Sequence, residues 1–219
     1  MTKPVMVWDV PIRVFHWLLV LSFVGAYLTA ESEPYREIHV MFGYTLLGLI
    51  TFRLLWGFFG TRYSQFRSFI FTPGETFTYF LSMLKGNPTH YAGHNPLGSL
   101  AIWLLLSLGI ITSVTGIVYF QGIGDDVIEV VHTFLAHIML IVVLIHIAGV
   151  FLSSKLHHEN LLLAMITGSK PVKASEGINR PYLWLGFIIV AAVALFWINY
   201  PPADLLAQKA GIKQNKPPR

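Results

Sequence analysis

Residues 128–152 read IEVVHTFLAHIMLIVVLIHIAGVFL. Such a stretch, with Glu129 its only charged side chain apart from histidines, is long enough to cross a hydrocarbon core about 30 Å thick as one helix. His132 and His146 stand fourteen residues apart in it. Fourteen helical steps bring the second to within about 40° of the first, roughly 21 Å further along the axis. The two imidazoles therefore share a face at two depths. Ionisable side chains at membrane depth are costly and point to function. His137 lies about 140° from His132 and about 180° from His146, off that face, and is expected to hydrogen-bond between helices.

The rest of the chain is built of similar pieces. Further apolar spans cover about 12–30, 39–60, 97–120 and 182–200, the last stopped by Pro201 and Pro202. Hydrophobic residues make up 54% and charged residues 12%, with a mean hydropathy of +0.61. A soluble domain carries about 25% charge, so lipid is the expected solvent. The fold class is an all-α integral membrane protein: a four-helix transmembrane bundle over residues 1–170, followed over 171–219 by a linker, a fifth transmembrane helix and a basic tail. Asp9, Arg13 and His16 interrupt what a secretory signal would keep apolar, so the first span is retained. Residues 74–85 suggest a short interfacial helix with Phe77, Phe80, Leu81 and Leu84 on one side. His90 and His94 follow in a Gly/Pro/Asn-rich stretch and are expected to be solvated. The net charge of +4 is dispersed, not gathered into a stripe, which argues against a nucleic-acid partner.

Loop charges set the orientation. Arg62, Arg67 and Lys85 occupy the 61–96 loop; Lys155, Lys170, Lys173 and Arg180 occupy the 153–181 loop. The intervening loops carry Glu31, Glu33 and Glu37, then Asp125 and Asp126. The N-terminus and both basic loops belong in the cytoplasm of a bacterium, making this a multi-pass protein of the inner membrane. The tail, with Lys209, Lys213, Lys216 and Arg219, breaks the rule.

This orientation sorts four histidines by depth. His16 and His146 lie on the inner side, His39 and His132 on the outer. Each pair can clamp one haem. The chain has no cysteine, which excludes covalent c-type haem, iron–sulfur clusters and zinc–thiolate sites. Two non-covalent haem b groups with bis-histidine ligation remain, and two axial imidazoles favour electron transfer over oxygen binding. Gly25, Gly43, Gly48, Gly116 and Gly149 could admit a porphyrin face, or serve ordinary close helix packing. Arg13 and Arg53, on the inner side, are the expected partners of haem propionates; Arg36 is the outer counterpart. His157 and His158 stand past the inner end of the fourth span, as interfacial anchors or as proton carriers beside a quinone.

Several stretches, taken together, resemble the prokaryotic cytochrome b561 family, which includes the cytochrome b subunits of nickel–iron hydrogenases. They are VWDVPIRVFHWLLVLSFVGAYLTAE (7–31), HVMFGYTLLGLITFRLLWGFFG followed by TRYSQF (39–66), HNPLG (94–98) and HIAGVFLSSKLHHENLLLAMITG (146–168). The resemblance implies a four-helix bundle holding two b-type haems, with ligands from the first, second and fourth helices. His16, His39, His132 and His146 stand at the matching positions. The third span contains no histidine, and the fifth helix and tail lie outside the common core.

Three functions compete. The first is a respiratory cytochrome passing electrons between the quinone pool and a periplasmic partner such as a c-type cytochrome, alone or as a homodimer. The second is the membrane anchor of a periplasmic oxidoreductase such as a nickel–iron hydrogenase. The third is a non-haem, proton-coupled transporter using the histidines as a relay. The acidic group Asp125, Asp126 and Glu129 would dock a basic partner or form a solvated edge.

Overall fold

A computed structural model describes residues 4–123 and 125–200. Pro201, Pro202 and the basic tail lie outside the described residues. Seven helices follow in order: α1 (Val10–Thr29), α2 (Arg36–Phe59), α3 (Pro73–Leu84), α4 (Pro96–Phe120), α5 (Asp126–His157), α6 (Leu161–Thr167) and α7 (Leu183–Asn199). The helix containing α2, together with α1, α4 and α5, is long and apolar enough to span a membrane. α7 is apolar and 17 residues long, at the short end of spanning length.

Local chemistry sets the helix starts. Asp9 caps α1 by accepting the Ile12 N–H at 2.8 Å, with Pro11 in the first turn, where its missing N–H costs nothing. Thr72 and Glu75 form a capping box on α3, and Asn95 with Pro96 does similar work for α4, accepting the Gly98 N–H at 2.7 Å. α3 covers the expected short helix. Tyr79 turns into the protein, while Phe77, Phe80, Leu81 and Leu84 stay exposed.

The helices pack in the series α7, α1, α2, α4, α5. α1 and α5 do not pack extensively against one another; Tyr27 meets His137 edge-on, with ring centroids 6.2 Å apart. Glycines allow the tight crossings. A Cβ on Gly25 would lie 2.4 Å from the Phe42 ring, and one on Gly109 would lie 2.6 Å from Ile50. Gly25 is therefore filled by a neighbouring aromatic and admits no cofactor face. Trp197 ties α7 to α2 by donating its indole N–H to Thr45 at 2.9 Å.

One end of the bundle carries a compact cap. β1 (Val5–Met6) pairs antiparallel with β2 (Ser169–Lys170). The N–H groups of Val7 and Trp8 both bond to the Gly168 carbonyl. Gly168 has φ +86°, and a Cβ there would lie 2.7 Å from the Trp8 carbonyl oxygen, so only glycine fits. Tyr63 in the first basic loop donates to the Glu176 carbonyl in the second at 2.8 Å. Both basic loops and the N-terminal segment thus meet at one end, around buried Val7, Trp8, Phe69 and Val172.

Candidate functional site

The hydrogen bonds that hold His39 and His132 decide which ring nitrogens remain free. The short α1–α2 turn runs the two helices antiparallel and lays His39 against the last turn of α1. There the Ala26 carbonyl is among those a helix end leaves short of partners. His39 Nδ1 donates to it at 2.8 Å. His132 Nδ1 donates to the Thr112 carbonyl of α4 at 2.9 Å. The approach is possible because Gly116, one turn further on, has no side chain: a Cβ there would lie 2.8 Å from the His132 ring. Gly116 thus seats a histidine, not a porphyrin face. A carbonyl oxygen can only accept, so each Nδ1 carries the ring proton and each Nε2 keeps its lone pair. A metal-binding histidine is oriented in this way, by a bond from its other nitrogen to a backbone carbonyl.

The two rings face each other with centroids 6.0 Å apart and planes at 88°. Two metal–imidazole bonds of about 2 Å each, plus roughly 1 Å to each ring centre, span about the same distance. Among the described residues no three His, Asp or Glu side chains converge on a point. His39 and His132 meet as a pair, an arrangement that axial haem ligands share.

His16 and His146 are electrostatic neighbours across the sparsely packed side between α1 and α5. His16 Nδ1 is buried without a hydrogen-bond partner. Beside the two pairs, a Cβ on Gly43 or Gly149 would meet nothing within 4 Å. Gly43 follows His39 by one turn and Gly149 follows His146 by three residues, so both flank imidazoles. Gly48 is equally open but lies about 180° around α2 from His39.

The arginines sit near the capped end. Arg53 is 2% exposed, so it does not snorkel out. Its guanidinium lies over the rings of Phe66 and Phe69, 5.1 and 5.4 Å from their centroids, and Nη1 has no partner. Arg13 donates one Nη to the Ile166 carbonyl, while its Nε is buried and unpaired. Unpaired buried donors on two cations fit an anionic group. Arg36 lies over Phe120 at 5.8 Å, among side chains of the opposite end.

Two residues depart from the sequence reading. His137 bonds the Thr133 carbonyl of its own helix at 2.7 Å; across helices it makes a ring contact with Tyr27, not a hydrogen bond. His94 is partly buried: its ring packs on Trp8 and Phe69. His90 is exposed, as expected, and pairs with Glu159. Sequence reading also missed Asp9, which is fully buried. Its Oδ2 accepts from Trp56 Nε1, Thr61 Oγ and Ser64 Oγ at 3.1, 2.6 and 2.7 Å. An Asp two residues before a proline at a helix start was the available signal.

The family description of prokaryotic cytochrome b561 matches residues 7–168. A probable Ni/Fe-hydrogenase B-type cytochrome subunit of Azotobacter vinelandii is 30% identical over 151 residues, covering 56% of this chain and 62% of that relative. Proteins of the same printed name from Rhizobium leguminosarum bv. viciae and Rhodobacter capsulatus are 24% and 25% identical. Those alignments cover 80% and 77% of this chain, and 92% and 82% of the relatives. No solved structure is a significant match.

Proposed function

Because this chain belongs to the prokaryotic cytochrome b561 family, we propose that it is a membrane cytochrome that holds two haem b groups and carries electrons across the bilayer. His39 and His132 ligate the outer haem, and His16 and His146 the inner. Haem iron with two imidazole ligands supplies one-electron chemistry. The facing His39 and His132 rings, each held through Nδ1 by a backbone carbonyl, carry this reading. Arg53 and Arg13 neutralise propionates of the inner haem. The Lys and Arg of the capped end support a cytoplasmic position for it and for the N-terminus. A proton-coupled transporter gives no reason for paired imidazoles with free Nε2 atoms.

Purified protein should contain two haems per chain and a b-type reduced-minus-oxidised band. Nearly perpendicular axial rings leave two iron d orbitals close in energy, so the ferric electron paramagnetic resonance spectrum should contain a strongly anisotropic low-spin signal. One haem or none would overturn the reading.

The relatives' printed names favour a particular partner, a periplasmic hydrogenase-type oxidoreductase feeding electrons to the outer haem. Stable co-purification with a large periplasmic subunit tests it; isolation as a free haem protein favours a soluble partner such as a c-type cytochrome. A docking surface of Asp125, Asp126 and Glu129 would retain limited freedom, because Glu129 already accepts from Tyr119 at 2.6 Å.

Quinone is the proposed exchange partner at the capped end. Tyr79 bonds His157 Nε2 at 3.2 Å, and the His90 ring lies 5.4 Å from that of His157. Glu159 joins His90 to Lys170. Tyr79 also lines an open cavity of about 410 Å³, a size that suits a small-molecule headgroup. His157→Ala should slow quinol turnover and leave the haem spectrum intact; unchanged turnover would remove His157 from proton transfer.

A further inference from the structure

His94 is partly buried and held between fixed neighbours. Gly93 lets the loop pass Tyr63, whose ring a Cβ would approach to 2.5 Å. Asn95 is fixed as the α4 cap, and Pro96 fixes the next backbone angle. Between these anchors the His94 ring lies 4.6 Å from Trp8 and 4.8 Å from Phe69, centroid to centroid. Its Nδ1 is sealed from solvent and has no hydrogen-bond partner. Leaving such a group unpaired is costly, so a loop this well anchored is expected to satisfy it in the working protein.

The surroundings indicate what satisfies it. Phe69 carries His94 on its ring and Arg53 as well, the guanidinium 5.4 Å from the same centroid. Arg53, Lys170 and His146 are the groups that act on His94 electrostatically. Burial first, then these neighbours, push its pKa down to about 3, so the ring is neutral and offers one N–H. The acceptors nearby are already taken. Asp9 receives four hydrogen bonds, and Glu159 is bound to Lys170 and His90. Unpaired donors remain on Arg53 and Arg13, and His94 Nδ1 is an unpaired ring nitrogen that can carry the N–H. An excess of buried donors near His146 calls for an acceptor with negative charge, and a carboxylate fits it.

We propose that His94 is a positioning residue for the inner haem, its ring N–H binding a propionate beside Arg53. The proposal rests on the assignment of His16 and His146 to that haem. Hydrogen bonding and charge around a haem tune its potential. Removing the donor leaves more propionate charge to stabilise ferric iron, so the inner potential should fall.

The test uses full-length protein, redox titration of both haems, and resonance Raman of the propionate modes. His94→Phe keeps the aromatic stack and removes the N–H; His94→Gln keeps a donor and removes the ring. The phenylalanine variant should lower the inner midpoint potential and shift the propionate mode, with the outer haem unmoved. The glutamine variant should return both toward wild type. Loss of the inner haem in the first with retention in the second would support the same role. An unmoved potential and Raman mode in the phenylalanine variant, equal shifts of both haems, or inner-haem loss in both variants would mark a packing role and overturn the proposal. If His16→Ala leaves two haems in place, the ligand assignment itself fails and takes the proposal with it.

Discussion

Asp9→Ala should destabilise the folded bundle by about 3–5 kcal/mol, the range for removing one partner from a buried charged network. The carboxylate is 0% exposed and gathers three parts of the chain. It caps α1 through Ile12 N–H, takes the Trp56 indole at the end of α2, and takes Thr61 and Ser64 in the loop beyond. It is also the countercharge that acts on Arg13 and Arg53. Alanine would strand four donors and leave the arginines without their anion. Asparagine keeps one acceptor oxygen for the cap and replaces the other with an N–H₂ that faces donors, so Asp9→Asn should fall between wild type and alanine. Thermal unfolding in detergent, followed by intrinsic fluorescence, measures the order. An alanine variant that melts with wild type would remove Asp9 from its place as the hub of the capped end.

How far the sequence reached depends on the range of the forces involved. The spanning helices were legible because lipid imposes one requirement, an apolar run of fixed length, and every residue in the run votes on it. The pairing of His39 with His132 was legible because helix pitch and loop charge are both regular. The cap was not. Val5 pairs with Lys170, and Asp9 bonds to side chains 47 to 55 residues away; contacts of this kind leave no period in the sequence. His94 looked solvated because glycine, asparagine and proline usually mark exposed turns; here they anchor a loop against aromatic rings. The glycines divide for a related reason. Composition says that a small residue is present, but not whether Phe42, a histidine or open space stands opposite. Angle puts His137 off the face shared by His132 and His146, but does not give its hydrogen-bond partner, which is its own helix, since a histidine can reach a carbonyl one turn back.

Removing either member of a ligand pair should cost one haem and spare the other. His39→Ala and His132→Ala should each reduce the content from two haems to one, and the strongly anisotropic ferric signal assigned to the perpendicular rings should vanish with it. His16→Ala and His146→Ala should remove the other haem and keep that signal. The effect is nearly all-or-none because a bis-histidine haem held without thioether bonds relies on both axial bonds and on packing. Gly116→Val gives an independent check without touching a ligand. A Cβ at Gly116 meets the His132 ring at 2.8 Å, and the nearest ring atoms belong to a side chain pinned at Nδ1 by Thr112. Valine adds two further methyls to that clash, so the ring must leave the carbonyl that orients it, and the outer haem should be lost or bound weakly. His137→Ala is the contrasting case: an exposed ring off the face shared by His132 and His146, bonded to Thr133 of its own helix, should change neither haem. If Gly116→Val kept two normally ligated haems while His132→Ala lost one, the seat made by α4 would be irrelevant to ligation. If His137→Ala lost a haem, the pairing itself would be wrong, because only a different set of helix faces could bring that ring to an iron.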